Sequence, residues 1–289
     1  MKNVKPILGK RALVLSGGGS KGAYQVGVIK KLAEEGKTWD IITGVSVGAL
    51  NACFLSMYNK NEQIIAAKEL EHFWLQNVKK DSDIYKGWLP GFLTYIPAIW
   101  KGSIYSTKPL KKLLINNFNI DKMKTTDVDI HIGVCSLNSG LYETVNGNHP
   151  QILDYILASA SFPIAFPPIE IGGELYTDGG VRNSVPVMEA IRSGASEIDV
   201  IMNSPTTPAT IHKDTKDIKK LIPAALRVTD ILSDEVFITD LDEACKYHGI
   251  KLKVHAPERP FKQNSLDFSA KHVVSLIDYG YNGVLIHED

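Results

Sequence analysis

The chain has 289 residues, in which 32 lysines and arginines are matched by 32 aspartates and glutamates, so its formal net charge at neutral pH is zero. That balance lacks the basic surplus a nucleic-acid backbone demands and excludes nucleic acid as an expected partner. The length suits one main domain with a sizeable core, and three well-separated cysteines in apolar segments (Cys53, Cys135, Cys245) read as reduced, buried thiols of a cytoplasmic protein.

In chain order, residues 1–10 read as an N-terminal extension. The apolar run from Ala12 to Leu15 is too short for a signal peptide. Arg11 to Ser16 forms a predicted strand. Ala23, Val26, Ile29, Leu32 and Ala33 then recur at helical spacing until Gly36. A second strand is predicted from Trp39 to Thr43, and helices from Ser46 to Met57 and from Asn61 to Val78. Strand and helix alternating over short connections imply a mainly parallel sheet covered by helices on both faces, a three-layer α/β/α sandwich. The uncharged stretch Gly87–Trp100 is interrupted by Pro90 and Pro97 and is shorter than the roughly 20 residues a spanning helix needs.

Further along, Ile130, Ile132 and Val134 alternate with other residues, Asn138-Ser139-Gly140 turns the chain, and Leu141 to Val145 returns, which predicts a hairpin. Gln151 to Ala158 is a predicted helix, Glu174 to Thr177 a strand, Pro186 to Arg192 a helix and Glu197 to Met202 a strand. A polar loop follows from Asn203 to Asp214, and helical patterns run on to Tyr247. A strand at Lys251 to His255 and a helix from Ala270 to Tyr279 complete the chain. The division expected is 11–203 for the chemistry-bearing domain and 204–289 for a C-terminal helical region packed on it.

Two glycine-bearing motifs follow the first two strands. Gly17, Gly19 and Gly22 fit G-x-G-x-x-G between a strand and a helix, the context of a dinucleotide site. Such a site needs a carboxylate at the end of the second strand, where the sequence is Ile41-Ile42-Thr43-Gly44; a phosphate loop would need a lysine after Gly22, where Ala23 stands. Gly44-Val45-Ser46-Val47-Gly48 instead fits G-x-S-x-G, a sharp strand-to-helix turn that exposes a nucleophilic serine, the plainer alternative being Ser46 as a helix N-cap. Both loops belong on the carboxyl edge of the sheet. There Gly17, Gly18 and Gly19 can present amides to a developing oxyanion, with Lys21 adding charge or remaining a solvated surface residue.

A serine hydroxyl needs a base. Of the eight histidines, His212 lies in a loop on the carboxyl side and fits a serine–acid–histidine order, but its neighbours give it no anchor. Asp178, ending a short strand before Gly179 and Gly180, is the stronger candidate; an Asp-Gly turn is the plainer reading. Upstream of it, Pro163, Pro167 and Pro168 stiffen a loop too apolar for a mere connector.

Four blocks in order, GGGSKG, GVSVGA, ASASFPIAFPP and DGGVRNSVP, resemble the patatin-like phospholipases, a family of serine–aspartate lipid acyl hydrolases, over roughly Arg11 to Asn203. The resemblance implies Ser46 as nucleophile, Asp178 as general base and Gly17, Gly18 and Gly19 as the oxyanion hole, with Lys21, Gly22, Gly44, Gly48, Gly179 and Gly180 supporting the motifs. It implies a phospholipid or lysophospholipid substrate; no cofactor is expected, and because acidic clusters such as Asp240-Leu241-Asp242-Glu243 lack the ligand spacing of a calcium loop, no metal is expected either. Val45 and Val47 beside the serine, and Ser184-Val185 in the last block, depart from the commonest family pattern. A catalytically silent lipid-binding or regulatory protein is the alternative from another class, and a nucleotide-dependent oxidoreductase comes third. Residues 84–105, rich in Trp88, Trp100, Phe92, Tyr85, Tyr95 and Tyr105, suit either a membrane interface or acyl channel, or packing on the core. With zero net charge, any membrane contact would be peripheral, mainly apolar and reversible.

Overall fold

A computed structural model describes residues 9–89, 100, 102–206, 249–261, 264–283 and 285–288, with scattered positions between 224 and 243 that include Phe237 and Asp240. His212, Cys245, Pro90, Phe92, Tyr95, Pro97 and most of the pattern predicted up to Tyr247 lie outside the described residues.

The first two βα units run β1 (Lys10–Leu15), α1 (Gly22–Glu34), β2 (Ile41–Val45) and α2 (Val47–Leu55), followed by α3 (Gln63–Asn77). Strand β2 starts two residues later than predicted. Trp39 is withdrawn from the ladder because its backbone N–H and C=O are bound by the Gln63 amide and its indole N–H by Asp199. Short strands β3 (Lys86–Gly87) and β4 (Tyr105–Ser106) pair with each other, and helices α4 (Lys108–Asn117) and α5 (Ile120–Thr125) follow. The predicted hairpin is β5 (Asp129–Ser136) and β6 (Tyr142–Asn146). Beyond it lie α6 (Ile152–Ser159), β7 (Ile169–Ile171), β8 (Glu174–Asp178), α7 (Val187–Arg192) and β9 (Ala195–Ile201). The C-terminal part supplies β10 (Lys251–Ala256), α8 (Ala270–Asn282) and β11 (Leu285–Glu288).

Nine strands form one sheet in the order β11-β10-β9-β1-β2-β5-β8-β7, with β6 also on β5. Its centre, β10 to β5, is parallel, and antiparallel strands are added at the margins. Side-chain alternation along β1 sorts the core into two layers. Leu13 and Leu15 join one apolar cluster with α1, α2, α3 and α8, whereas Ala12 and Val14 join another with α7, Val200, Val254 and Phe237. The fold is therefore the three-layer, mainly parallel α/β/α sandwich that the sequence leads one to expect.

Strand β5 positions the ends of two others. Strands β2 and β6 both pair with His131, Ile132 and Gly133, so they occupy opposite edges of β5. Strands β6 and β8 both pair with Val134 and Cys135, so they too are on opposite edges. It follows that β2 and β8 share one edge: Val45 lies opposite Gly133 and Asp178 opposite the next residue, Val134. The first runs parallel to β5 and the second antiparallel, so their carboxyl ends meet head to head.

Helices α1 and α8 cross through glycines. A Cβ on Gly27 would sit 2.0 Å from the Ile277 carbonyl oxygen, and one on Gly280 2.1 Å from that of Tyr24. Overpacking of this kind costs about 1–3 kcal/mol. Gly280→Val should lower the thermal midpoint by about 2–12 °C, measured by calorimetry, without altering the sheet.

Candidate active site

Residue 46 stands where β2 becomes α2, with φ +57° and ψ −130°, a left-handed backbone that a non-glycine residue adopts only under constraint. The constraint comes from both sides of the turn. A Cβ on Gly44 would lie 2.4 Å from the Gly48 carbonyl oxygen, and one on Gly48 2.2 Å from that of Leu15, so a sharp turn this close to β1 admits no side chain at either place. The Ser46 hydroxyl makes no capping bond to α2. Its backbone N–H donates to the Ser159 hydroxyl at 2.9 Å, and that hydroxyl donates to the Gly133 carbonyl at 2.7 Å.

At the end of β8, the Asp178 side chain is buried. Its Oδ1 accepts from the Gly180 N–H at 2.8 Å, and its own N–H donates to the Ser161 carbonyl at 3.1 Å, as does the Thr177 hydroxyl at 2.7 Å. Oδ2 is buried without a hydrogen-bond partner among the described residues. Burial pushes the carboxyl up to about 7, opposed by the nearby Ser46 hydroxyl and then by the Gly180 amide. The two side chains are thus neighbours, although no hydrogen bond of standard geometry joins them. Gly179 and Gly180 form a short 3₁₀ turn directly after the acid.

The triple-glycine loop closes the site from the β1 side. A Cβ on Gly17 would be 3.3 Å from that of Ser46. The N–H of Gly17 is committed to the Ser184 carbonyl at 3.1 Å, whereas Gly18 and Gly19 show no backbone acceptor for their amides among the described residues. Gly19, Ser20 and Lys21 make a 3₁₀ turn that leads into α1 at Gly22. Beneath the loop lies a buried amide chain: Trp74 donates to the Asn51 side-chain oxygen, Asn51 to the Gln25 side chain, and Gln25 to the Ser16 carbonyl, at 2.8–2.9 Å. It ties α1 and α2 to the loop between β1 and α1, and a fully hydrogen-bonded buried network fixes one geometry.

Ser46, Asp178 and the three glycines are therefore together. Residues not picked out from the sequence hold them there. Ser159 and Ser161, two residues apart at the end of α6, support the backbones of Ser46 and Asp178 respectively. Ser184 joins the glycine loop to the acid turn, its carbonyl accepting from Gly17 and its hydroxyl donating to the Gly180 carbonyl at 2.8 Å. The signal available was polar residues inside apolar blocks, the serines of ASASF above all. Among the described residues, histidine side chains that make polar contacts make them elsewhere: His131 with Asp129, His255 with Asp199, and His149 with the Gln151 backbone. The aromatic segment divides. Tyr85 and Tyr105 pack with Phe166 and Phe268, Trp88 donates to the Ser103 carbonyl, and Trp100 is 88% exposed. Among the described residues no helix is long and apolar enough to cross a membrane.

Comparison with known proteins gives the same outline. Residues 13–191 match the family model described as patatin-like phospholipase. Lysophospholipase NTE1 of Debaryomyces hansenii is 28% identical over 195 residues, which cover 64% of this chain and 11% of that protein. Patatin-like phospholipase domain-containing protein 7 of Rattus norvegicus is 30% identical over 202 residues, 66% of this chain and 13% of that protein. A probable lipid hydrolase, 463L, of Invertebrate iridescent virus 6 is 26% identical over 198 residues, 63% of each chain. The matched stretch thus spans only about a tenth of the first two relatives. With the family model covering well over half of its residues, the chain belongs to the patatin-like phospholipase family.

Proposed function

We propose that the chain is a lipid acyl hydrolase of phospholipase A or lysophospholipase type, with Ser46 as nucleophile and Asp178 as its base. The observation that carries this reading is the meeting of a strained, uncapped serine with a buried carboxylate whose pKa is pushed up to about 7. A normal aspartate, with a pKa near 3.9, would be a feeble base for a hydroxyl; one poised near 7 is ionised in a useful fraction at neutral pH and holds a proton when it receives one.

In the first step the Ser46 Oγ bonds to the ester carbonyl carbon while its proton passes to Asp178 and the carbonyl electron pair moves onto oxygen. That oxyanion lies against the amides of Gly18 and Gly19, in the turn that leads into α1, where each donor is worth roughly 10²- to 10³-fold in rate. Collapse breaks the ester C–O bond, and the leaving alcohol takes the proton from Asp178. Water then gives a proton to Asp178 and attacks the acyl-Ser46, and the carboxylic acid departs as the serine recovers its proton. The NTE1 relative is named a lysophospholipase, which supports a lysophospholipid or phospholipid as the substrate class. Exposed Leu89 and Trp100 supply an apolar, uncharged contact for a lipid surface.

Ser46→Ala should abolish release of fatty acids from a mixed lipid extract, followed by mass spectrometry, and should lose labelling by a phosphonate probe. A probe adduct on another serine, or turnover by this variant, overturns the assignment of Ser46, and a wild type that neither labels nor releases fatty acid leaves a catalytically silent lipid-binding protein on the same fold as the reading.

Activity of the wild type should rise with pH through about 7 and level off above it, as Asp178 ionises. Stability should show the opposite trend. The folded pKa lies above the unfolded value near 3.9, so the native state binds the proton more tightly and loses stability as pH rises from about 4 to 7, on the order of 4 kcal/mol. Asp178→Asn should therefore abolish turnover yet raise the thermal midpoint at pH 8, with little change at pH 4. Leu89→Ala with Trp100→Ala should reduce co-sedimentation with phosphatidylcholine vesicles while hydrolysis of a soluble short-chain ester is kept.

A further inference from the structure

The glycine loop is gripped from two directions by side chains that follow the family-matched stretch. We propose that Asn203 and Asp240 are positioning residues that fix the peptides on either side of Gly17, so that the Gly18 N–H faces the reacting ester oxygen; this rests on Ser46 being the nucleophile.

The first arm acts on the Gly17 carbonyl. Asn203 is buried two residues past the end of β9, and its Nδ2 donates to the Gly17 oxygen at 2.9 Å and, more weakly, to the Ser16 oxygen at 3.4 Å. Its backbone N–H donates to the Ser16 hydroxyl at 2.9 Å, and that hydroxyl donates to the same Gly17 oxygen at 3.2 Å. In a trans peptide the C=O and the following N–H point in opposite directions. With its carbonyl drawn to Asn203, the Gly17–Gly18 peptide must send the Gly18 N–H the other way. A Cβ on Gly18 would lie 2.8 Å from that of Asn203, so loop and side chain are in direct contact. A side-chain NH₂, with two donors, suits a place between two carbonyl oxygens; a carboxylate there would set oxygen against oxygen.

The second arm acts on the Gly17 N–H, through one peptide of the acid turn. That N–H donates to the Ser184 carbonyl, and the other end of the same peptide, the Val185 N–H, donates to Asp240 Oδ2 at 3.1 Å. The Ser184 N–H donates to the same oxygen at 2.7 Å. A charged acceptor polarises the peptide it binds and makes its carbonyl the better acceptor in turn. Burial pushes Asp240 up to about 6, so at pH 8 this acceptor is ionised.

The test uses Asn203→Ala and Asp240→Ala at pH 8, a soluble short-chain aryl ester, and two ligands of equal chain length, an alkyl trifluoromethyl ketone and the corresponding alkyl alcohol. The ketone reports the oxyanion hole: Ser46 Oγ bonds to its carbonyl carbon, the hydroxyl proton goes to Asp178, and the carbonyl oxygen takes up the negative charge. A misaimed amide should lower kcat tenfold or more in Asn203→Ala and threefold or more in Asp240→Ala, with KM within twofold. Ketone binding should weaken by the same factor as kcat/KM, while alcohol binding stays unchanged. Values of kcat within twofold of wild type, or equal weakening of both ligands, would overturn the proposal. Should Asn203→Ala fail to fold, Asp240→Ala decides on the same criteria. A wild-type protein that forms no ketone adduct on Ser46 overturns the nucleophile assignment and this inference with it; a wild-type adduct with unaffected variants overturns this inference alone.

Discussion

Everything at the site depends on one edge of β5 serving two strands in succession. Strand β2 occupies it as far as Gly133, and β8 takes over at Val134 from the opposite direction. Val45, directly before Ser46, and Asp178 are far apart in sequence yet are thereby set at adjacent rungs of one ladder by backbone hydrogen bonds. Side chains alternate between faces along a strand, so a slip of one residue in β8 would turn the carboxylate to the other side of the sheet. The Ser161 carbonyl, accepting from the Asp178 N–H and from the Thr177 hydroxyl, holds that register at the critical step.

The same region holds several unfavourable features side by side. Ser46 has a left-handed backbone, Asp178 is a buried carboxylate with one oxygen unpartnered, and two glycine amides lack backbone acceptors among the described residues. Each would be costly in isolation. They persist because the surroundings are over-determined by Ser159, Ser161, Ser184 and the Trp74–Asn51–Gln25 chain of amides. Local strain, concentrated where the proposed chemistry occurs, is offset by a rigid neighbourhood made of ordinary polar side chains.

Much of this was legible in the sequence, for identifiable reasons. Period-2 and period-3.6 apolar patterns report which face is buried, and they located the βα units and the hairpin correctly. Pattern reading failed where a side chain replaced a backbone partner, as at Trp39, whose peptide is bound by Gln63. It also carried no information on strand direction: nothing in the short run Glu174–Asp178 tells that β8 is antiparallel. The glycine run was visible as a donor of amides, but not that the Gly17 amide is engaged by Ser184, because that contact spans the fold. Ser159, Ser161 and Asn203 act through a few hydrogen bonds to residues distant in sequence, and such roles leave no periodicity to read.

The crossing of α1 and α8 has a consequence for biosynthesis. The helix that begins directly behind the glycine loop lies against Gly280 and its neighbours, through backbone contacts that no other side chain could supply. A nascent chain emerging from the ribosome can pair β1 with β2 early, yet α1 lacks its cover until α8 has been made. Until then the part of α1 that packs on α8 stays uncovered, so the surroundings of the glycine loop are complete only once the last helix has been made.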